Sequence, residues 1–268
     1  KLLLASNAAN SSDQVGRNLM DHPFFFTWAL APQSMGMFRG PGQTSGVESL
    51  RDGAFRKDFA AFRVDLGNWG WDVVDFPPDG DVTGRLGKNI FGKKLRQQLG
   101  DTLPRQIRIG FDIEQLPQPG NRVTISREFV DAAGCFRPVI NYGLSDYTWQ
   151  AMVEAIKVSQ AIYRRMGIPE EDIFYVPPAG LPDERQYRAK DGRDYLLHFI
   201  GAGHHIGTHR MGTTRNDSVV DRNQRSWDHE NLYVVGCGSM PTTGTANPTL
   251  TALAMTLMST RDMLTQLR

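Results

Sequence analysis

The sequence predicts an α+β fold: an antiparallel sheet with helices on one face, joined to the closing strand and helix of an α/β layer. Three observations lead there. Residues 105–113 alternate apolar and polar side chains, the period of a half-buried strand. Residues 145–167 repeat apolar side chains at helical spacing. Residues 231–266 read as a strand, a small-residue loop and a helix, a pattern unlike the middle of the chain.

In chain order, Lys1-Leu2-Leu3-Leu4-Ala5 is a charged and apolar start, shorter than the roughly 7 apolar residues of a signal-peptide core. It is expected to end an element that begins earlier. A polar turn at Asn10-Ser11-Ser12-Asp13 precedes an apolar run from Phe24 to Leu30, which reads as a strand. Residues 32–57 are rich in Gly, Ser, Pro and Gln and read as a loop or lid. Phe59, Phe62, Trp69, Trp71 and Phe76 crowd the next stretch. They form either a small core beneath a loop or the wall of a pocket, where the apolar face of a sugar stacks on aromatic rings.

The strand at 105–113, a turn at Pro117-Gln118-Pro119-Gly120-Asn121 and a strand at Arg122-Val123-Thr124-Ile125-Ser126 are expected to form a hairpin. Pro138 to Tyr142 gives another strand. Ser145 and Asp146 cap a helix whose Met152, Ala155, Ile156, Ser159, Ile162, Tyr163 and Met166 share a face, ended by Gly167. Asn231 to Gly236 is expected to be a short buried strand. Asn247-Pro248-Thr249 then opens a helix to about Gln266, with Asn as N-cap and Pro at the first helical position.

Composition narrows the function classes. The chain has 268 residues, 40% hydrophobic and 22% charged, an ordinary soluble composition. Its formal net charge is +1 and no basic stripe interleaves with aromatics, so no nucleic-acid partner is expected. Two cysteines, Cys135 and Cys237, make neither a disulfide framework nor a zinc site. They leave the compartment open between cytoplasmic and periplasmic or secreted. No run approaches the roughly 20 apolar residues of a membrane span.

His198, His204, His205 and His209 lie close together. His205 and His209 would share a helix face, but Gly203, Gly207, Gly212, Thr208 and Ile206 disfavour a helix here. On a strand, residues four apart are roughly 13 Å from each other, too far to share a metal. No metal is expected. A neutral imidazole, with an ordinary pKa of about 6.5, can instead accept a proton. His204 and His205 would face opposite sides of a strand, so only one points into a given pocket. The loop Gly236-Cys237-Gly238-Ser239-Met240-Pro241-Thr242-Thr243-Gly244-Thr245-Ala246 is small enough for close approach of a cofactor, and the helix after it points free N–H groups forward. An ordinary capped helix, with Asn247 spent on its own backbone, is the alternative reading.

Several segments together carry a resemblance. They are His204-x-x-Gly207-Thr208-x-Arg210-Met211-Gly212, Val219-Val220-Asp221, Asn231-Leu232-Tyr233-Val234-Val235-Gly236 and Asn247-Pro248-Thr249. This set resembles the carboxy-terminal signature of the glucose–methanol–choline (GMC) oxidoreductases. Gln14-Val15-Gly16-Arg17-Asn18-Leu19-Met20-Asp21-His22-Pro23 resembles the same family's mid-chain motif. Thr208-His209-Arg210-Met211-Gly212, Gly236-Cys237-Gly238 and Ala246 to Ala252 look most like the pyranose-oxidase branch and bacterial glycoside-oxidising relatives.

The resemblance implies FAD as cofactor, with His204 as catalytic base and Asn247 as its partner. Substrate hydroxyl proton would go to His204 and the carbinol hydride to flavin N5. Gly236, Cys237, Asn247, Pro248 and Thr249 would line the cofactor, and Trp69, Trp71 and His205 would line the substrate. It further implies residues 1–20 as the end of an FAD-binding domain and 21–200 as a substrate-binding domain. Residues 201–268 would then be the active-site strand with the closing strand, loop and helix of the FAD-binding domain.

The G-x-G-x-x-G segment that grips FAD in this family is missing, so the main FAD grip is expected in an amino-terminal half or a partner chain. The expected substrate is a small sugar or alcohol, with oxygen, a quinone or a cytochrome as electron acceptor. Two other readings remain open at this point. One is a non-catalytic relative that binds a carbohydrate or a partner; the other is an enzyme acting on a non-sugar alcohol.

Overall fold

The computed structural model describes residues 1–36, 42–67, 90–174 and 185–267. Helix and antiparallel sheet are mixed, as an α+β chain requires. The chain divides into two units. One joins Lys1–His22, Glu114–Ser145 and Gly201–Arg268; the other joins Pro23–Ile113 and Asp146–Ile200.

The second unit is built on a sheet whose strands include β1 (Pro23–Leu30), β2 (Gln43–Val47), β3 (Phe62–Gly67) and β4 (Gln106–Ile113), in the order β1-β4-β3-β2. All these neighbours are antiparallel, with Phe25 opposite Phe111 and Val64 opposite Phe111 on its other side. The helix α2 (Gly92–Thr102) precedes β4. The helix α3 (Asp146–Arg165) buries Met152, Ala155, Ile156, Ser159 and Tyr163, the predicted face, and Gly167 ends it at φ +73°. Tyr163 is fully buried and its hydroxyl donates to the Thr27 carbonyl at 2.9 Å, which fixes helix to sheet. A short β7 (Ile173–Phe174) also pairs with β1. The stretch read as a loop or lid holds β2 and a turn of 3-10 helix at Ala54–Lys57.

Two expectations for β4 are corrected. It is buried on both faces, because its polar side chains are paired: the Arg108 guanidinium lies 4.1 Å from the Phe26 ring centroid, and Asp112 receives Arg63 at 2.6 Å. It also makes no hairpin with β5 (Arg122–Val130). With β1 and β3 on its two edges, β4 has no free backbone edge left. Instead β5 pairs with β6 (Phe136–Asn141) in the first unit. A separate hairpin in the second unit joins β8 (Arg185–Arg188) to β9 (Asp194–Leu197).

The first unit has less regular structure: a short α1 (Leu2–Ser6), the β5–β6 hairpin and α4 (Thr249–Gln266). Its core is two small clusters, Ala9, Val15, Val219 and Val220 in one, Met20, Ile206 and Met240 in the other. The expected buried strand at 231–236 is a half-buried extended segment outside any sheet, with Val234 N–H donating to the Gln224 carbonyl at 2.9 Å and Tyr233 bridged to Arg225. Fully buried Gln224 links this region to the final helix: its amide donates to Ser239 Oγ at 2.5 Å and accepts from Ser259 Oγ of α4 at 2.6 Å. Asp262 of α4 accepts from Tyr233 at 2.6 Å and from Asn223 at 3.2 Å. These bonds tie the second half of α4 to the 223–239 region.

Candidate active site

Every group of the site described below lies in the first unit. Residues 203–209 form turns and a bridge rather than a strand, with Met20 and Ile206 exchanging backbone bonds at 2.9 Å in each direction. Gly207 makes that bridge possible. Its φ is +90°, and a Cβ there would stand 2.2 Å from the Asn18 carbonyl oxygen, so only glycine fits. This close approach lays the segment with His204 beside Asp21 and His22.

Asp21 is the anchor. Its Oδ1 accepts from the backbone N–H of His22 and of His204, both at 2.8 Å, and its Oδ2 from Gly203 N–H at 3.1 Å. Its own N–H donates to Gln115 Oε1 at 2.9 Å, which also accepts the Tyr142 hydroxyl at 2.8 Å. Burial, with the nearby Asp21 charge, pushes the Tyr142 hydroxyl well above the usual phenol range, so it stays a donor. Thr243 ties Gln115 to the loop before α4: Gln115 N–H donates to Thr243 Oγ1 at 3.0 Å.

His204 is half-buried. Its Nδ1 lies 2.9 Å from Nδ1 of fully buried His22, with the rings edge-on at 83°. Its Nε2 lies 3.1 Å from Nδ2 of Asn247, and His22 Nε2 lies 3.2 Å from the Gly244 carbonyl. The loop before α4 therefore meets both imidazoles. The N-cap position of α4 is Pro248, not Asn247, and Pro248 makes no side-chain cap bond. The amide that composition allows as a helix cap is directed to a histidine instead.

His205 points elsewhere, 73% exposed and 3.9 Å from Asp21 Oδ2. His209 is held apart from this group. Burial lowers its pKa to about 4 against a weaker opposing bond to the Val235 carbonyl, so it is neutral at ordinary pH. It sits beside Gly238, where a Cβ would come within 2.3 Å of its ring, and it lines a cavity of about 340 Å³ with Leu3, Leu4, Val15 and Val234. Asp21, His22 and His204 offer ligand-type atoms within 4.8 Å of one another, but the two ring nitrogens are spaced as one hydrogen bond.

The sequence placed His204 and Asn247 as a pair, and the structure brings their side chains together. Asp21 and His22 carried no site role on sequence grounds. Their only signal was the Asp21-His22-Pro23 string, and nothing local connects it to a histidine 182 positions later. Gly236 (φ +103°), half-buried Cys237, Asn247, Pro248 and Thr249 line the loop and start of α4. Trp69, Trp71 and Phe76 lie outside the described residues.

Residues 117–256 match the family profile described as GMC oxidoreductase. The chain belongs to this family. Its members are FAD-dependent oxidoreductases acting on CH–OH groups. The fructose dehydrogenase large subunit of Gluconobacter japonicus is 29% identical over all of this GMC chain and 45% of its own length. A C-glycoside 3-oxidase of Microbacterium trichothecenolyticum is 28% identical over 54% of this chain and 25% of its own length. The chain thus spans less than half the length of either relative. Among solved structures, a formate oxidase of Aspergillus oryzae superposes with a TM-score of 0.52 at 16% identity, covering 92% of this chain and 47% of that one. That likeness supports the fold.

Proposed function

We propose that this chain is the substrate-facing part of an FAD-dependent oxidoreductase that converts a ring hydroxyl of a sugar or glycoside to a ketone. The 3.1 Å pairing of His204 Nε2 with Asn247 Nδ2 carries the reading. An acceptor and a donor converge on one point at the accessible edge of the site. A substrate hydroxyl seated there would displace the direct Asn247–His204 bond, giving its proton to His204 Nε2 while its oxygen accepts from Asn247 Nδ2. Proton removal by a positioned base contributes about 10²–10⁴-fold in rate, and holding the oxygen by a second group orients the carbinol carbon.

The residues at the start of α4 fit a flavin. The loop from Gly236 is small, Asn247 Nδ2 is turned to His204, and Pro248 at the N-cap of α4 makes no side-chain cap bond. Gly236, Cys237, Asn247, Pro248 and Thr249 would hold the cofactor, with the helix start offering donors and partial positive charge. FAD, when bound, accepts the hydride at N5. His205, exposed beside Asp21, is available to substrate.

The sugar assignment rests on the relatives, which are named for fructose and for C-glycosides. The main grip on FAD belongs to an amino-terminal half or partner chain. In support, α4 exposes Leu250, Leu253 and Leu257 along one face, at 80%, 58% and 66%. A soluble chain rarely leaves such a stripe uncovered. Electrons would leave to oxygen, a quinone or a cytochrome.

The test uses the full-length, FAD-loaded protein mixed without oxygen with a panel of monosaccharides, glycosides and short alcohols. Bleaching of the flavin by sugars, with a ketone product, supports the proposal. Bleaching by short alcohols alone overturns the sugar assignment, and a protein unable to take up FAD overturns the enzymatic one.

A further inference from the structure

We propose that His22 is a positioning residue that fixes which nitrogen of His204 carries the proton, and that Gly244 sets this through His22. The argument starts from two groups whose roles are not adjustable. A backbone carbonyl can only accept, so at 3.2 Å from Gly244 O the Nε2 of His22 is the donor. Neutral His22 then has a lone pair at Nδ1. That lone pair faces His204 Nδ1 at 2.9 Å, so His204 carries its proton on Nδ1. Its Nε2 is left as the base.

The other end of the chain demands the same direction. An amide nitrogen can only donate, so Asn247 Nδ2, 3.1 Å away, also requires a lone pair on His204 Nε2. The bonds therefore run one way: Asn247 to His204, His204 to His22, His22 to Gly244. Gly244 and Asn247 belong to the same loop. Asp21 holds the backbone of both histidines, and Thr243 Oγ1 contacts the Gly244 carbonyl at 3.1 Å. Reversing the His204–His22 bond would place the proton on His204 Nε2 and leave no acceptor there for a substrate hydroxyl. Removing such a tautomer-fixing partner costs up to about 10⁴-fold in a serine protease.

This inference rests on His204 being the base, and its test separates the two. In the full-length protein with histidine-selective ¹⁵N labelling, the His204 ring signals are assigned by their loss in His204→Ala. The expected result is neutral His204 protonated at Nδ1. Protonation at Nε2 overturns the proposal, and this measurement needs no variant at His22 to fold. In His22→Phe, His204 should shift toward the Nε2-protonated form and flavin reduction by substrate should slow on the order of 10²-fold. His22→Asn, which returns an oxygen acceptor near the Nδ1 position, should recover most of that loss. An unchanged tautomer in a folded His22→Phe variant overturns the positioning role. Unchanged flavin reduction in His204→Ala would instead refute the base assignment, leaving the tautomer result standing.

Discussion

Asn247 Nδ2 stands 3.1 Å from His204 Nε2 although the two residues are 43 positions apart, and the N-cap position of the helix that follows is taken by Pro248. An N-cap Asn replaced by Ala costs about 1 kcal/mol of stability. Here the geometry puts that amide on His204.

The loss on changing Asn247 should therefore fall on rate rather than on folding. In the full-length protein, Asn247→Ala is expected to slow flavin reduction on the order of 10²-fold, the scale of removing one positioned donor, with an unchanged thermal midpoint. Asn247→His, whose ring N–H can still donate, should lose less. Rapid-mixing absorbance of the flavin and a melting curve together check this.

His209 makes a prediction about pH. Burial holds its folded pKa at about 4, below the 6.5 of an unfolded chain, so the unfolded state binds the extra proton between those values. The resulting stability is complete above about pH 6.5 and is lost as pH falls toward 4, about 3 kcal/mol in all. Melting midpoints of the full-length protein from pH 7 to 4.5 should fall less steeply in His209→Gln than in wild type. Parallel slopes would show that His209 is not the linked group.

Two glycines should respond in opposite directions. Gly207→Ala places a Cβ 2.2 Å from the Asn18 carbonyl at a φ of +90°. It is expected to cost about 3 kcal/mol or more and to disturb the His204 segment with it. Gly100 lies in α2 with open space around it, and Gly100→Ala should stabilise by about 1 kcal/mol. Denaturant midpoints of the two variants give the comparison.

What could be read beforehand follows from how local each signal is. The face of α3 was legible because its period is a property of consecutive residues, and β1 and β4 were legible as strands for the same reason. Their neighbours were not. The polar alternation of β4 looks like a solvent face until Arg63 and Phe26, from other strands, are seen to pair with it. The hairpin with β5 looked natural because a Pro-Gly turn lies between two strands, yet β4 already has two partners. At the site, the His204 and Asn247 candidates came from the family resemblance, and the structure puts their side chains 3.1 Å apart. His22 and Asp21 gave no such signal, since their contacts with His204 exist only where Gly207 lets the two segments touch.

The central claim is that His204 is the base. The most direct measurement is anaerobic rapid mixing of the full-length, FAD-bound His204→Ala variant with whichever sugar or alcohol reduces the wild-type flavin, compared with wild type. The account predicts that flavin reduction falls by about 10²–10⁴-fold while the oxidised flavin spectrum and FAD content stay as in wild type. Reduction at the wild-type rate, with FAD fully bound, would contradict it.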